Sequence, residues 1–329
     1  MSTLGVWAPD GAGEVRRGDD LAAILVGLLG GSAAPASLED GDVVVVTSKV
    51  VAKAEGNVRA GTREEAVAAE TVRVVARRGP TAIVRTRHGL TLAAAGVDAS
   101  NVEVGQVVLL PADPDASARG IRRRLHELTG AVVGVVVTDT AGRAWREGQT
   151  DIAVGAAGIL VAESFAGRTD AYGNPLAVTA PAVADEIAGM AELAQGKLGG
   201  RPFAVVRGRG DLVLPLGDDG PGAAALVRAD GADMFGYGAR EAVLRALGAD
   251  PADAEPFGAP APAGELAEGL TEGLAVLGVT VSEVDDAGVT VRVAGPRAAW
   301  AVEVAAYACG WVVATSGSDG DIRLSPRLT

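Results

Sequence analysis

Four consecutive β-branched residues, Val43-Val44-Val45-Val46, follow the polar pair Gly41-Asp42 and lead into Thr47-Ser48-Lys49. An apolar run without alternation predicts a strand buried on both faces, with polar side chains presented at its end. Residues 132–138 repeat the pattern and run into Asp139-Thr140. Shorter strand-like stretches are expected at 82–85, 107–110 and 203–207, the last just before Gly208-Arg209-Gly210. Apolar residues at helical spacing predict helices over 64–77, 117–128, 183–193 and 233–247. Residues 249–264 are dense in Pro, Ala and Gly, the composition of a linker. Beyond it the pattern predicts a helix over 265–277. A hairpin follows, with strands at 279–284 and 289–293 around Asp285-Asp286-Ala287-Gly288. The expected division is a main domain over 1–250, a linker over 251–264 and a small C-terminal module over 265–329. No internal repeat and no heptad pattern is present.

Composition narrows the function classes. The 329-residue chain is 48% hydrophobic and 22% charged, an ordinary globular balance. Its formal net charge of -13 argues against nucleic acid and anionic membranes as partners, since both are polyanions. A chain of this charge that binds phosphates must place cations locally or take them up as metal ions. Aromatic residues are 3% of the total, too few for a base-stacking platform. The single cysteine, Cys309, excludes an intrachain disulfide and suits packing. His88 and His126 are too few for a histidine-rich metal site. The start of the chain lacks a basic-then-apolar signal pattern, and no apolar run approaches the roughly 20 residues that span a bilayer. A cytoplasmic setting is expected.

Three stretches carry candidate chemistry. The densest runs from Thr138 to Asp151 and holds Asp139, Thr140, Arg143, Trp145, Arg146, Glu147, Gln149 and Asp151 between two apolar segments. An Asp-Thr pair at a strand end offers hard oxygen ligands of the kind Mg²⁺ or Mn²⁺ takes together with substrate phosphates. Arg143 and Arg146 offer planar forks for phosphate or carboxylate and are the candidate catalytic cations. A polar surface loop with ion pairs accounts for the same composition. The second stretch, Ala93-Ala94-Ala95-Gly96-Val97-Asp98-Ala99-Ser100-Asn101, uses small residues that permit close backbone approach, so that Asp98 and Asn101 project together. An Asx-type turn would look alike. The third, Thr47 to Gly56, feeds Ser48, Lys49 and Lys53 from a strand end. It lacks the glycine-rich loop of a Walker A sequence.

Together these stretches resemble one family, the coenzyme F420-0:L-glutamate ligases (gamma-glutamyl ligases), in particular the ligase half of the actinobacterial two-domain form. The similar segments are 41–56 (GDVVVVTSKVVAKAEG), 93–101 (AAAGVDASN), 137–158 (VTDTAGRAWREGQTDIAVGAAG), 170–176 (DAYGNPL), 183–187 (VADEI) and 204–208 (AVVRG). They occur in order across roughly residues 12–248.

The resemblance implies an α+β fold of unusual mixed topology, a homodimer, and a reaction in which GTP activates a carboxylate as an acyl phosphate. The amine of L-glutamate then attacks, giving the glutamyl amide of F420-0, GDP and phosphate. It implies two divalent ions, Mg²⁺ or Mn²⁺, with K⁺ as a candidate further ion. Carried over by position, Asp98 and Asp139 are the implied carboxylate ligands and Thr140 the implied ligand of a second ion. Ser48, Lys53 and Asn101 are the implied nucleotide contacts. A Leu-Pro-Glu-type segment of the family also meets the nucleotide, and Gly13, Glu14 and Val15 stand in its place here. Residues 195–197 depart further: archaeal members carry a Gly-Glu or Gly-Gln pair where this chain has Gly196-Lys197, and a protonated lysine cannot ligate a metal. The tail beyond about residue 255 is too short for the flavin-binding nitroreductase-like domain of the two-domain relatives, and a small packing or dimer-supporting module is expected. Two other classes stay open on the residues alone: a non-catalytic nucleotide or coenzyme binder with a degenerate site, and a metal-dependent phosphohydrolase.

Overall fold

The Val43–Val46 run lies inside a five-stranded sheet, as its continuous hydrophobicity requires. The computed structural model describes residues 3–32, 35–285, 287–317 and 320–328. Two compact units divide the chain, Met1–Val227 and Arg228–Thr329. Both mix helices with strands, in keeping with the α+β expectation. Among the described residues no helix is long and apolar enough to cross a membrane.

In the first unit, the sheet contains β1 (Gly5–Trp7), β2 (Val43–Thr47), β8 (Gly134–Gly142), β9 (Gln149–Ala157) and β10 (Phe203–Arg207), in the order β1-β10-β2-β8-β9. Only β2 and β8 pair in parallel, in a register running from Val43 opposite Gly134 to Thr47 opposite Thr138. Val44 and Val46 pack with Leu21, Leu25 and Leu29 of α1 (Leu21–Gly30) and with Ala118 and Leu125 of α4 (Pro114–Thr129). Val43 and Val45 pack on the other side with Ala184, Ile187 and Ala191 of α5 (Val183–Gln195). The sheet is thus covered on both faces, which is why β2 tolerates no polar residue before Thr47. Each fully buried valine contributes about 1.5–3 kcal/mol relative to an exposed one. α4 starts on Asp113, whose carboxylate accepts from the Ala116 amide at 2.9 Å, with Pro114 in the first turn, and it ends at Gly130 with φ 74°.

The intervening chain forms α2 (Ser48–Glu55), β3 (Val58–Ala60), α3 (Arg63–Glu70), β4 (Thr71–Arg78), β5 (Thr81–Thr86), β6 (Thr91–Ala93) and β7 (Gln106–Val108). β3 pairs with β7, and β4-β5-β6 forms a separate antiparallel sheet. The helix expected over 64–77 is therefore half as long. It opens on a Thr62–Glu65 capping box and stops at Glu70. Thr71, Val72, Val74 and Val75 then form β4, where β-branched side chains meet β5 instead of crowding a helical turn.

The second unit holds α6 (Ala239–Gly248), α7 (Ala263–Leu274), β11 (Thr280–Asp285), β12 (Gly288–Arg292), α8 (Pro296–Ala308), β13 (Trp311–Ser316) and β14 (Asp321–Pro326). The four strands form one antiparallel sheet in the order β11-β12-β14-β13. The expected boundaries shift accordingly. The division falls after Val227, not near 250, and residues 251–264 are not a free linker. Ala246 of α6, Ala254 and Tyr307 of α8 bury one another, and Pro251–Asp253 and Glu255–Phe257 form 3₁₀ turns. The expected hairpin is present as β11–β12. Asp286 of its turn lies outside the described residues. The core of the unit includes Trp311, 2% exposed, whose indole N–H donates to the Ala261 carbonyl at 2.8 Å.

Candidate active site

Parallel pairing of β2 and β8 sets Thr47 beside Thr138, so the residues that follow them, Ser48 and Asp139, emerge side by side. Crevices at the carboxyl ends of parallel strands are where open α/β sheets receive ligands. Ser48 is buried, begins α2 and donates its hydroxyl to Asp139 Oδ1 at 3.0 Å. Burial pushes the Asp139 carboxyl up to about 6, against the Ser48 hydrogen bond and with the help of the negative charges on Asp151 and Asp98.

Asp98 reaches the same turn of α2 from another loop, through Lys49, the neighbour of Ser48. Asp98 is held by a two-way backbone bridge to Val108 (3.0 and 2.8 Å). Ahead of it, Ala94 and Ala95 adopt φ of 52° and 55°, values that small residues enter at least cost. Lys49, next to Ser48 on α2, places its ammonium 2.5 Å from Asp98 Oδ2 and donates to Ser100 Oγ at 2.7 Å. Ser100 also donates to Asp98 through its amide (2.7 Å) and hydroxyl (3.0 Å). Burial opposes the Asp98 charge, but Lys49 and Ser100 outweigh it and hold the carboxyl below the usual range. Two neighbouring α2 side chains thus each favour the charged form of one aspartate, and only at Asp98 does that outweigh burial.

Beside Asp139, Thr140 pairs with Asp151 across the β8–β9 hairpin. Its hydroxyl donates to Asp151 Oδ1 at 2.8 Å, and Thr138 Oγ1 donates to Asp151 Oδ2 at 3.1 Å. Thr140 Oγ1 also accepts from Lys197 Nζ at 2.8 Å, and Lys197 lies 3.7 Å from Glu192 of α5. Glu192 in turn accepts from the Asp151 amide at 3.3 Å.

Other expected residues are placed differently. Lys53 and Asn101 meet each other: Lys53 Nζ donates to the Asn101 carbonyl at 2.6 Å, and Asn101 sits at φ 56°. Val15 is a core residue at 4% exposure, while Glu14 is exposed and 3.6 Å from Arg16. Gly13 has φ 66°. The chain after them reaches α2, where the Gly18 amide donates to the Ala54 carbonyl at 2.8 Å. Arg143 and Arg146 are exposed on the hairpin turn between β8 and β9 and contact none of the carboxylates above; Arg143 Nη2 donates to the Glu147 carbonyl at 2.7 Å. Lys49 and Asp151 stood in the candidate stretches without an assigned role, and Glu192 lay outside them. The adjacency of Lys49 to Ser48 on one helical turn was the available signal for the first. Asp151 needed the hairpin register, and Glu192 needed the packing of α5.

The donor set suits a hard divalent cation. Asp98, Asp139 and Thr140 offer oxygen, and the like charges that raise Asp139 are what a cation relieves. Among the described residues no three His, Cys, Asp or Glu side chains enclose an ion by themselves. An ion here would complete its shell with water and phosphate oxygens, the habit of Mg²⁺.

Comparison with known proteins agrees with the resemblance. The model of the F420-0:Gamma-glutamyl ligase family matches residues 11–63 and 62–208. A protein of Archaeoglobus fulgidus named Coenzyme F420:L-glutamate ligase is 40% identical over 223 residues, 62% of this chain and 87% of the relative. Proteins of the same name from Methanopyrus kandleri and Methanothermobacter thermautotrophicus are 38% and 37% identical. They match over 68% and 63% of this chain and 93% and 89% of their own length. The chain belongs to the F420-0:gamma-glutamyl ligase family.

Proposed function

We propose that this protein is a ligase that joins L-glutamate to the carboxylate of coenzyme F420-0, using GTP and passing through an acyl phosphate. The observation that carries the reading is the convergence of Asp98 and Asp139 on the first turn of α2. Ser48 contacts one of them there and Lys49 the other. The names of the relatives supply the substrates, glutamate and F420.

In this reading the acceptor carboxylate attacks the γ-phosphorus of GTP and GDP leaves. The glutamate amine then attacks the acyl carbon, phosphate leaves, and the amine proton is lost to solvent or to the departing phosphate. A divalent ion held by Asp98 and Asp139 supplies charge neutralisation on the phosphates when bound. The chain's own residues do the positioning. Ser48 orients Asp139, and Lys49 keeps Asp98 ionised. Lys197 and Lys53 set point charges beside the crevice. Arg143 and Arg146, on the hairpin that carries Asp139 and Thr140, meet the anionic end of a substrate. A homodimer in the cytoplasm and a further K⁺ belong to the same reading.

The test is to incubate purified protein with GTP, Mn²⁺, glutamate and F420-0 and read the product by mass spectrometry. A gain of one or more glutamyl residues, with GDP formed only when all components are present, is expected. Phosphate release without glutamate would identify a phosphohydrolase, and nucleotide binding without turnover a degenerate binder.

A further inference from the structure

We propose that the arm formed by residues 162–182 is the surface on which two copies of this chain meet. The inference rests on the homodimer of the reading above and is independent of the chemistry assigned to Asp98 and Asp139.

The arm leaves the first unit at the buried Val161 and returns at the buried Val183, the first residue of α5. Between them the chain runs out and back as one antiparallel ribbon. The Glu163 amide donates to the Pro181 carbonyl at 3.0 Å, Phe165 to Thr179 at 2.9 Å, Leu176 to Arg168 at 2.8 Å and Asp170 to Asn174 at 2.9 Å. The Asp170 carboxylate fixes the tip. It accepts from the amides of Tyr172 and Asn174 at 2.9 and 2.8 Å and from Asn174 Nδ2 at 2.9 Å. The ribbon is shaped before any contact is made, which lowers the ordering cost of binding.

Its exposure calls for a covering surface. No residue from 162 to 182 is buried, and Tyr172 and Val178 are each 93% exposed. A two-stranded ribbon left bare in water is marginally stable at best and gains its stability from a further strand or a packed face.

Charge selects what covers it. The whole chain carries -13, yet from 164 to 182 the only charged side chains are Arg168 and Asp170, which cancel. Two copies of so acidic a chain repel one another, and a locally neutral patch is where they approach at least cost. A cationic partner would favour the acidic surface elsewhere, and a polyanion would be repelled by the chain as a whole. A two-fold contact uses the same patch on both copies. Stable interfaces take about 20–30 residues a side, and an arm of this length supplies most of that number.

Light scattering behind a sizing column reads the mass of the full chain at micromolar concentration. Twice the mass of one chain is expected for the natural protein. The mass of one chain is expected for the double variant Tyr172→Asp, Val178→Asp, whose sites are exposed enough to leave the fold unchanged. A variant that stays double would overturn the inference and leave a homodimer built on another surface. A natural chain of single mass would overturn both, and the glutamate-addition assay would still decide the ligase reading. Hydrogen exchange of the natural chain needs no variant. Protection of the Phe165 and Leu176 amides should rise with protein concentration, and exchange at one rate throughout would count equally against the arm.

Discussion

Ser48 and Asp139, 91 residues apart in the chain, are joined by a 3.0 Å hydrogen bond because each is the first residue beyond one of two register-matched parallel positions. Asp139 is nevertheless strained electrostatically, with its carboxyl pushed up to about 6 from an ordinary 3.8 by burial above all. Asp139→Asn should therefore do two opposite things. Ligation should fall by about 10²–10³-fold, the scale for loss of one directed electrostatic group. Stability without divalent ions should rise. A carboxyl whose folded pKa exceeds its unfolded value destabilises the fold only when ionised. The penalty is absent below about pH 4, grows as pH rises and is complete above about 6, reaching up to about 3 kcal/mol. Denaturant melts of both proteins at pH 4 and pH 7.5 measure it. A variant less stable than the natural chain at pH 7.5 would contradict the assignment.

Arg143 and Arg146 stand exposed at the tip of the hairpin whose base carries Asp139 and Thr140. Arg146→Ala is expected to raise KM for F420-0 by roughly tenfold, about 1.4 kcal/mol, while kcat changes by less. Steady-state kinetics with each substrate varied in turn separates the two. A fall in kcat alone would place Arg146 at the reacting centre instead.

His88 provides a pH marker away from the carboxylates. Its Nε2 faces the Pro111 carbonyl at 3.0 Å and the Ala112 carbonyl at 3.3 Å, while Nδ1 is buried with no hydrogen-bond partner among the described residues. Burial, and then the charge of Arg87, hold the imidazole below its ordinary 6.5. The unfolded chain accordingly takes the proton first. The stability contribution is complete above about pH 6.5 and is lost as pH falls from there through the depressed folded value. His88→Gln should flatten the decline in melting temperature between pH 6.5 and 5. An equally steep decline in the variant would count against this account.

Much of the fold was legible because burial on both faces leaves a mark that needs no alignment. The valine runs at 43–46 and 135–137 mark β2 and β8, and the spacing of Ala184, Ile187 and Ala191 marks α5. What stayed hidden depends on contacts between distant segments. Nothing local announces that Thr71 begins a strand, because Val72, Val74 and Val75 fit a helical stripe as well as a pleat until β5 is present. α8 and the β13–β14 pair went unrecognised behind a proline-rich stretch whose composition suggested a linker. At the site, the sequence offered Asp98, Asp139, Thr140 and Ser48 as candidates, and the structure places Ser48 against Asp139 and Lys49 against Asp98. The contacts of Asp151 with Thr140 and of Glu192 with Asp151 were not legible, since they arise from cross-strand and helix-to-strand placement.

The second unit offers its own test. Trp311→Ala removes a 2% exposed side chain and its hydrogen bond to Ala261, at a cost of about 3–5 kcal/mol. Hydrogen exchange on the intact chain should show Arg228–Thr329 losing protection while the amides of Val43–Val46 keep theirs. Simultaneous loss in both regions would mean that the two units unfold as one.

The parallel alignment of Thr47 with Thr138 ties competence to correct assembly. A slip of one residue in either strand would turn the valines of β2 or β8 towards the wrong helices and carry Ser48 away from Asp139 in the same movement. Misassembled molecules would therefore be both unstable and inert, and partial activity from a mispaired sheet is not to be expected.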